Sequence, residues 1–197
     1  NKIIYNIKKM FKNNDILVNS ISCSTYIKSL NYNKFFQNHE NKIFLDIGFK
    51  KTCLAVFYKD VLTHLNSIPV GGNHITSDIS KIFKLNEEKS ENIKKSFSKA
   101  ETIFSDNSEK VKNNLEADLK LINKDISHDL LKKVIYARIE EIINLSFQKI
   151  KFNDPNKENK YILVFIGDGS KILNKNAIYL ENKYDFIDEM NFFEENV

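Results

Sequence analysis

The sequence predicts an α/β fold, and three observations carry that prediction. All five glycines fall at three places, Gly48, the pair Gly71 and Gly72, and the pair Gly167 and Gly169. Each place follows a strand-like apolar run: Ile43 to Leu45, Leu65 to Val70, and Ile162 to Ile166. Between the second and third of these places lies a long block of helical periodicity, so strands and helices alternate along the chain. A chain this sparing with glycine keeps it where a turn needs positive φ or a ligand approaches bare backbone. A strand running into a glycine turn is also how phosphate and nucleotide sites are built.

The elements follow in order. From Ile3 to about Phe36 the pattern reads helix, strand, helix: Ile4, Ile7 and Phe11 repeat at helical spacing, Ile16 to Ser22 is β-rich, and Tyr26 to Phe36 is helical again. From Lys42 to Val70 the chain is all strand. Lys42 to Ile47, Thr52 to Tyr58 and Val61 to Ile68 are rich in β-formers, and the breaks at Gly48 to Lys51 and at Lys59-Asp60 read as hairpin turns. The helical block from Asn73 to about Ile150 carries three stripes: Ile75, Ile79, Ile82 and Phe83; Ile93, Phe97 and Ala100; and Leu131, Ile135, Ile139 and Ile142. Ser105 to Asn114 reads as a loop and Leu119 to Ile122 as a short strand. Ser127 is a good N-cap for the last helix, with Asp129 in its first turn. Asn153 to Lys160 is a polar linker, after which Tyr161 begins a buried-type strand.

Composition narrows the class of function. The 197 residues are 42% hydrophobic and 28% charged, enough for one compact unit or two small subdomains. Net charge is +4, yet Arg138 is the only arginine, and lysine balanced by acid describes a solvated surface. Nucleic-acid binding is therefore not expected. Cys23 and Cys53 stand alone without metal or disulfide spacing, which points to a reducing compartment. His39, His64, His74 and His128 have no partner spacing, and no serine nucleophile elbow, Walker loop or metal-binding helix is present. No apolar run approaches the roughly 20 residues that span a bilayer. The chain opens at Asn1, with the expectation that it is a piece of a longer protein.

Five segments in a fixed order, covering roughly residues 16 to 173, resemble the FtsA family of bacterial cell-division proteins, which carry the actin-like ATPase (ribonuclease H-like) fold. The closest is Ser67-Ile-Pro-Val-Gly-Gly-Asn-His-Ile-Thr-Ser-Asp-Ile79. Ile43 to Phe57 looks like the family's second phosphate loop, Ser90 to Ala100 like its nucleotide-facing helix, Val134 to Glu141 like its long helix, and Leu163 to Ser170 like its adenosine loop. The resemblance implies the second lobe of that fold. Residues 1–40 are then the link from a first lobe, residues 41–77 with 161–197 a sheet subdomain, and residues 78–160 an inserted helical subdomain that caps the adenine.

The resemblance further implies a Mg-ATP site made of Asp46, Gly48, Thr52, Gly71, Gly72, Glu91, Lys94, Gly167, Gly169 and Ser170. Asp46 would hold magnesium or water, Gly71 and Gly72 would open a helix whose first amides face an anion, and Glu91 with Lys94 would contact the ribose. The sequence departs from the family at two points. Phe49, Lys50 and Lys51 replace small residues after Gly48, where either a lysine charge substitutes for amide contacts or the segment is a plain hairpin turn. Asp168 replaces the middle glycine of the adenosine loop and brings negative charge toward a polyphosphate. Both departures imply weak ATP binding and an adaptor rather than an enzyme.

The family's partner is the C-terminal tail peptide of FtsZ, bound on the helical subdomain, with self-assembly and a place at the division site on the cytoplasmic face of the inner membrane. Membrane contact is expected through a partner or through parts beyond this sequence, because Lys183 to Val197 carries Asp185, Asp188, Glu189, Glu194 and Glu195, and anionic lipid repels acid. The alternative is an actin-fold ATPase or kinase with genuine turnover.

Overall fold

The structure, a computed structural model, describes residues 2–104, 126–148, 150, 159–173 and 183–193. The loop read at 105–114, the strand at 119–122 and most of the linker at 153–160 lie outside the described residues. The chain divides into two compact units, Asn1–Phe36 and Gln37–Val197.

The first unit holds α1 (Lys2–Lys12), α2 (Ser24–Asn33) and a 3-10 turn at Lys34–Phe36. Asp15 takes the left-handed conformation (φ 59°) after α1, and the amide of Ile16 donates to Phe11 O at 3.0 Å, which ends the helix. The strand expected at Ile16 to Ser22 does not form: the segment has no regular structure. A strand is a paired object, and no strand among the described residues lies beside this one to complete a ladder.

The second unit is a five-stranded sheet in the order β3-β2-β1-β4-β5, with β1 Lys42–Ile47, β2 Thr52–Tyr58, β3 Val61–Ile68, β4 Tyr161–Ile166 and β5 Ile187–Phe192. The β1–β2 and β2–β3 pairs are antiparallel, and the β1–β4 and β4–β5 pairs are parallel. Lys59 and Asp60 sit at φ 48° and 60° in the two-residue β2–β3 turn, as a tight hairpin with right-handed strand twist requires. The N-terminal end of β1 is pinned to this turn, because the fully buried Lys42 ammonium donates to Asp60 Oδ1. β5 is not marked by an apolar run, since Asp188 and Glu189 interrupt it; as an edge strand it buries fully only Ile187.

One sheet face packs against α3 (Gly72–Phe83), α4 (Glu87–Phe104) and α5 (His128–Phe147). Ile43, Leu45, Ile47, Leu54, Leu163 and Phe165 from the sheet meet Ile75, Ile79, Ile93, Phe97, Ile135 and Ile139 from the helices in one cluster. Each is essentially solvent-free, and burial of such a side chain contributes about 1.5–3 kcal/mol. Ile75, Ile79, Ile93, Phe97, Leu131, Ile135, Ile139 and Ile142 of the helical stripes thus face the core, Ile82 lies 52% exposed on the outer side of α3, and the Ala100 side chain lies outside the described ones. Ser127 caps α5, its hydroxyl accepting from the Leu130 amide.

Because β3 runs parallel to β1, the strands β1, β3 and β4 all end at the same edge of the sheet. The three glycine turns therefore share that edge, where ligands of open α/β sheets bind.

Candidate functional site

The three glycine turns pack backbone against backbone, and at Gly71, Gly167 and Gly169 the approach leaves no room for a side chain. A Cβ on Gly71 would lie 2.4 Å from Gly48 O, 2.8 Å from Phe49 O and 2.9 Å from Lys51 N. One on Gly169 would lie 2.6 Å from Ile47 O, and one on Gly72 would reach the Gly169 Cα at 3.7 Å. Gly167 alone has positive φ (84°), and its Cβ would sit 2.4 Å from Asp46 Oδ1, so this glycine is required twice over. Asp46, Gly48, Gly71, Gly72, Gly167 and Gly169 thus gather within one cluster across more than a hundred residues of sequence.

The start of α3 is closed by this arrangement. Gly72 N donates to Gly48 O at 2.9 Å and Asn73 N to Phe49 O at 2.8 Å, so carbonyls of the β1–β2 turn cap the positive end of the helix. His74 N donates to Gly71 O at 2.9 Å, and Gly71 N donates to His74 Nδ1 at 3.2 Å, which assigns the His74 proton to Nε2. Gly48 N is likewise held by Lys51 O at 2.9 Å. The expectation that the first amides of this helix face an anion meets a physical obstacle: those of Gly72, Asn73 and His74 already have protein acceptors.

Glu91 and Lys94 lie over the same helix start. Lys94 Nζ donates to Glu91 Oε2 at 2.6 Å, to Thr76 Oγ1 at 2.8 Å and to Gly72 O at 3.2 Å, using all three of its protons. The Thr76 hydroxyl in turn donates to Glu91 Oε2 at 2.5 Å. Burial works against the Glu91 charge, but the hydrogen bonds from Lys94 and Thr76 and the nearby Lys94 and Lys95 ammoniums outweigh it and hold the carboxyl below its ordinary value. Thr76 was not anticipated as part of this group; its place four residues after Gly72, on the same helix face, was the available signal.

Two of the anticipated residues turn their hydroxyls elsewhere. Thr52, 1% exposed, donates to Val70 O at 2.7 Å, and Ser170, 4% exposed, donates to Gly167 O at 2.6 Å. Phe49 is 60% exposed at the tip of the β1–β2 turn. The Asp168 carboxylate, almost wholly in solvent, pairs with Lys171 at 2.7 Å, which offsets the negative charge it adds to the turn.

Behind the site, Arg138 on α5 grips Asp78 on α3 with two parallel bonds, Nε to Oδ2 at 2.5 Å and Nη2 to Oδ1 at 2.9 Å, and its third arm meets Glu141. The hydrogen bonding of the guanidinium to Asp78 raises its pKa above the ordinary value against the pull of burial. The chain's one arginine therefore fixes α3, and with it the glycine cluster, to α5.

An ATP-type ligand would have to exchange internal hydrogen bonds throughout this donor set, because Glu91 and Lys94 are bonded to each other and to Thr76, Ser170 to Gly167 O, and the first amides of α3 to the β1–β2 turn and to Gly71. For a metal, Asp46 offers one carboxylate, and no group of three or more His, Cys, Asp or Glu residues able to hold an ion occurs among the described residues.

A separate open groove of about 680 Å³ lies beside α5, lined by the apolar Ala137, Leu145, Phe147, Tyr184 and Phe186 and by the polar Glu140, Glu141, Asn144 and Gln148. Lys132 and Lys133 border a neighbouring recess, with the Lys132 ammonium 5.4 Å from the centre of the Tyr136 ring. Among the described residues no helix is long and apolar enough to cross a membrane.

Solved structures share this architecture. MreB5 of Spiroplasma citri bound to ADP aligns with a TM-score of 0.63 at 16% identity, over 94% of this chain and 59% of its own. The PilM-PilN type IV pilus biogenesis complex aligns at 0.60 with 13% identity, over 95% and 46%. The ethanolamine utilization protein EutJ from Carboxydothermus hydrogenoformans aligns at 0.50 with 20% identity, over 78% and 44%. At these identities the likeness establishes the fold, which is actin-like, and the chain spans about half the length of the structures it matches. No curated protein sequence matches it. The model of the cell division protein FtsA family matches residues 43–180, well over half of the chain, and the protein therefore belongs to the FtsA family.

Proposed function

We propose that this protein is an FtsA-type division adaptor that binds the C-terminal tail of FtsZ on its helical layer and grips ATP weakly. In this proposal it works at the division site on the cytoplasmic face of the inner membrane, self-assembles, and reaches the membrane through a partner. Residues 41–77 and 161–197 serve as the sheet subdomain and residues 78–160 as the helical one. The observation that carries the proposal is the capping of α3: Gly72 N and Asn73 N are bonded to Gly48 O and Phe49 O, so the helix end that would neutralise a polyphosphate is neutralised by the protein itself. Phosphoryl transfer rests on positioning and electrostatics at such amides, and their loss weakens catalysis before it weakens the fold. The α5 groove supplies an apolar floor for a short peptide, and Lys132 and Lys133 supply charge to steer acidic residues toward it.

When bound, a nucleotide would contribute its polyphosphate charge, and Asp46 would hold a magnesium ion or a water beside it. Glu91 and Lys94 would hold the ribose, each exchanging an internal hydrogen bond for one to the ligand. The test is calorimetry with Mg-ATP. The expected dissociation constant is weaker than micromolar; one at or below about 1 μM, equivalent to about −8 kcal/mol, contradicts the proposal.

The second reading, an actin-fold ATPase or kinase with turnover, draws on the intact Thr76–Glu91–Lys94 group. Steady phosphate release above the spontaneous rate, abolished in Asp46→Ala, would favour it.

A further inference from the structure

The cap of α3 depends on a side chain that changes charge near neutrality. Gly71 is the N-cap and His74 the third helical residue, and the two are bonded reciprocally: His74 N donates to Gly71 O at 2.9 Å, and Gly71 N donates to His74 Nδ1 at 3.2 Å. That third position in a capping box is ordinarily Glu or Gln, whose oxygen accepts throughout the neutral range. A histidine accepts at Nδ1 only while its ring is neutral, because the protonated ring donates from both nitrogens.

Gly71 is buried, and among the described residues its amide has this ring nitrogen as its acceptor. A proton on Nδ1 sets two donors face to face, strands a buried N–H and adds positive charge at the positive end of a helix. Gly71 cannot turn away alone, since it is seated so tightly on the β1–β2 turn that a Cβ there would meet Gly48 O at 2.4 Å and Phe49 O at 2.8 Å. The turn has to loosen with it. The charges around this point do not offset the proton. Lys50 and Lys51 of the turn are cations, Glu91 on α4 is bonded to Lys94, and Asp168 is paired with Lys171. Asp78, one turn along α3, is held by Arg138, and Asp46 at the end of β1 lies beside Gly167.

We propose that His74 is a protonation-sensitive latch: its neutral ring holds the Gly71 amide and keeps the start of α3 closed on the β1–β2 turn, and its protonated ring releases both. The same closure occupies the amides of Gly72 and Asn73, so the latch sets whether the phosphate side of the glycine cluster is open. The latch rests on the cap geometry alone; only its bearing on nucleotide rests on the function proposed above.

The test is NMR of the isotopically labelled full chain without ligand, following the His74 ring nitrogens and the protection of backbone amides from hydrogen exchange between about pH 8 and pH 5. Glu91, held below its ordinary value, stays charged through the histidine range. The Gly71 amide shift is expected to track the His74 ring, and protection at Gly72 and Asn73 to fall about tenfold across that titration, as loss of a buried hydrogen bond implies. In His74→Gln, which keeps an acceptor and cannot be protonated, protection should stay high at both ends of the range; in His74→Ala it should be low at both. Protection at Gly72 and Asn73 that is unchanged while the wild-type His74 ring titrates, or a wild-type pH dependence that survives in His74→Gln, would overturn the proposal. The wild-type titration decides alone if neither variant folds.

Discussion

Gly71→Ala and Gly72→Ala, one residue apart, should have opposite effects. Gly71 has extended backbone (φ −158°) that any residue adopts, so the cost of alanine there is contact alone. Its Cβ would lie 2.4, 2.8 and 2.9 Å from three backbone atoms of the β1–β2 turn, none of which ends a flexible side chain. The turn and the helix must move apart, at an overpacking cost of about 1–3 kcal/mol. That movement also stretches the bonds from Gly72 N and Asn73 N, each contributing about 1 kcal/mol. Together these give a loss of about 3–5 kcal/mol, and for a chain of this size a fall in Tm of about 6–20 °C. At Gly72 the nearest atoms are 3.7 Å away, ordinary van der Waals distance. Alanine there should leave stability unchanged or raise it by up to about 1 kcal/mol through the unfolded chain. Thermal unfolding followed by circular dichroism measures both. A Gly71→Ala protein that melts with the wild type, or a Gly72→Ala protein that falls with it, would refute the close docking of turn on helix.

Three further outcomes are expected. In carboxyl-resolved NMR titration, Glu91 should titrate below its ordinary value of 4.5, and Lys94→Ala should move it upward, since burial then acts with less opposition. Its ionised form stabilises the fold above that ordinary value, and the contribution should fade as pH drops through the lowered pKa. For Asp78 and Arg138, a double-mutant cycle in urea should return a coupling of about 1–2 kcal/mol, and Arg138→Lys should keep the charge yet lose most of it. At the other end of β1, Asp60→Ala should cost about 3 kcal/mol by stranding the buried Lys42 ammonium, whereas Lys42→Met should be nearly neutral. Equal losses in those two variants would place the effect in packing rather than charge.

Legibility followed the range of the interaction. Strands β1 to β4 and the helical stripes were readable because an apolar period of two or three to four residues is local. β5 was not, because an edge strand tolerates Asp188 and Glu189 on its exposed positions. Ile16 to Ser22 shows the reverse failure, since β-propensity is fulfilled only where a partner strand exists. The glycine cluster was legible as three strand-glycine junctions, but its consequence was not: that Gly48 O and Phe49 O would fill the role of an anion depends on hydrogen bonds between residues more than twenty positions apart. The same holds for Arg138, whose isolation in the sequence gave no hint of Asp78 sixty residues earlier.

The central claim is that the surviving role of this FtsA-family chain is a peptide contact on its helical layer. Titration of the cognate FtsZ C-terminal tail peptide against the isotopically labelled chain, at low and moderate salt, tests it most directly. The account predicts amide shifts clustered on residues 78–160, foremost along the α5 groove near Ala137 and Leu145, that weaken as salt screens Lys132 and Lys133. No shifts at millimolar peptide, or shifts confined to the turns at Gly48, Gly71-Gly72 and Gly167–Gly169, would contradict it.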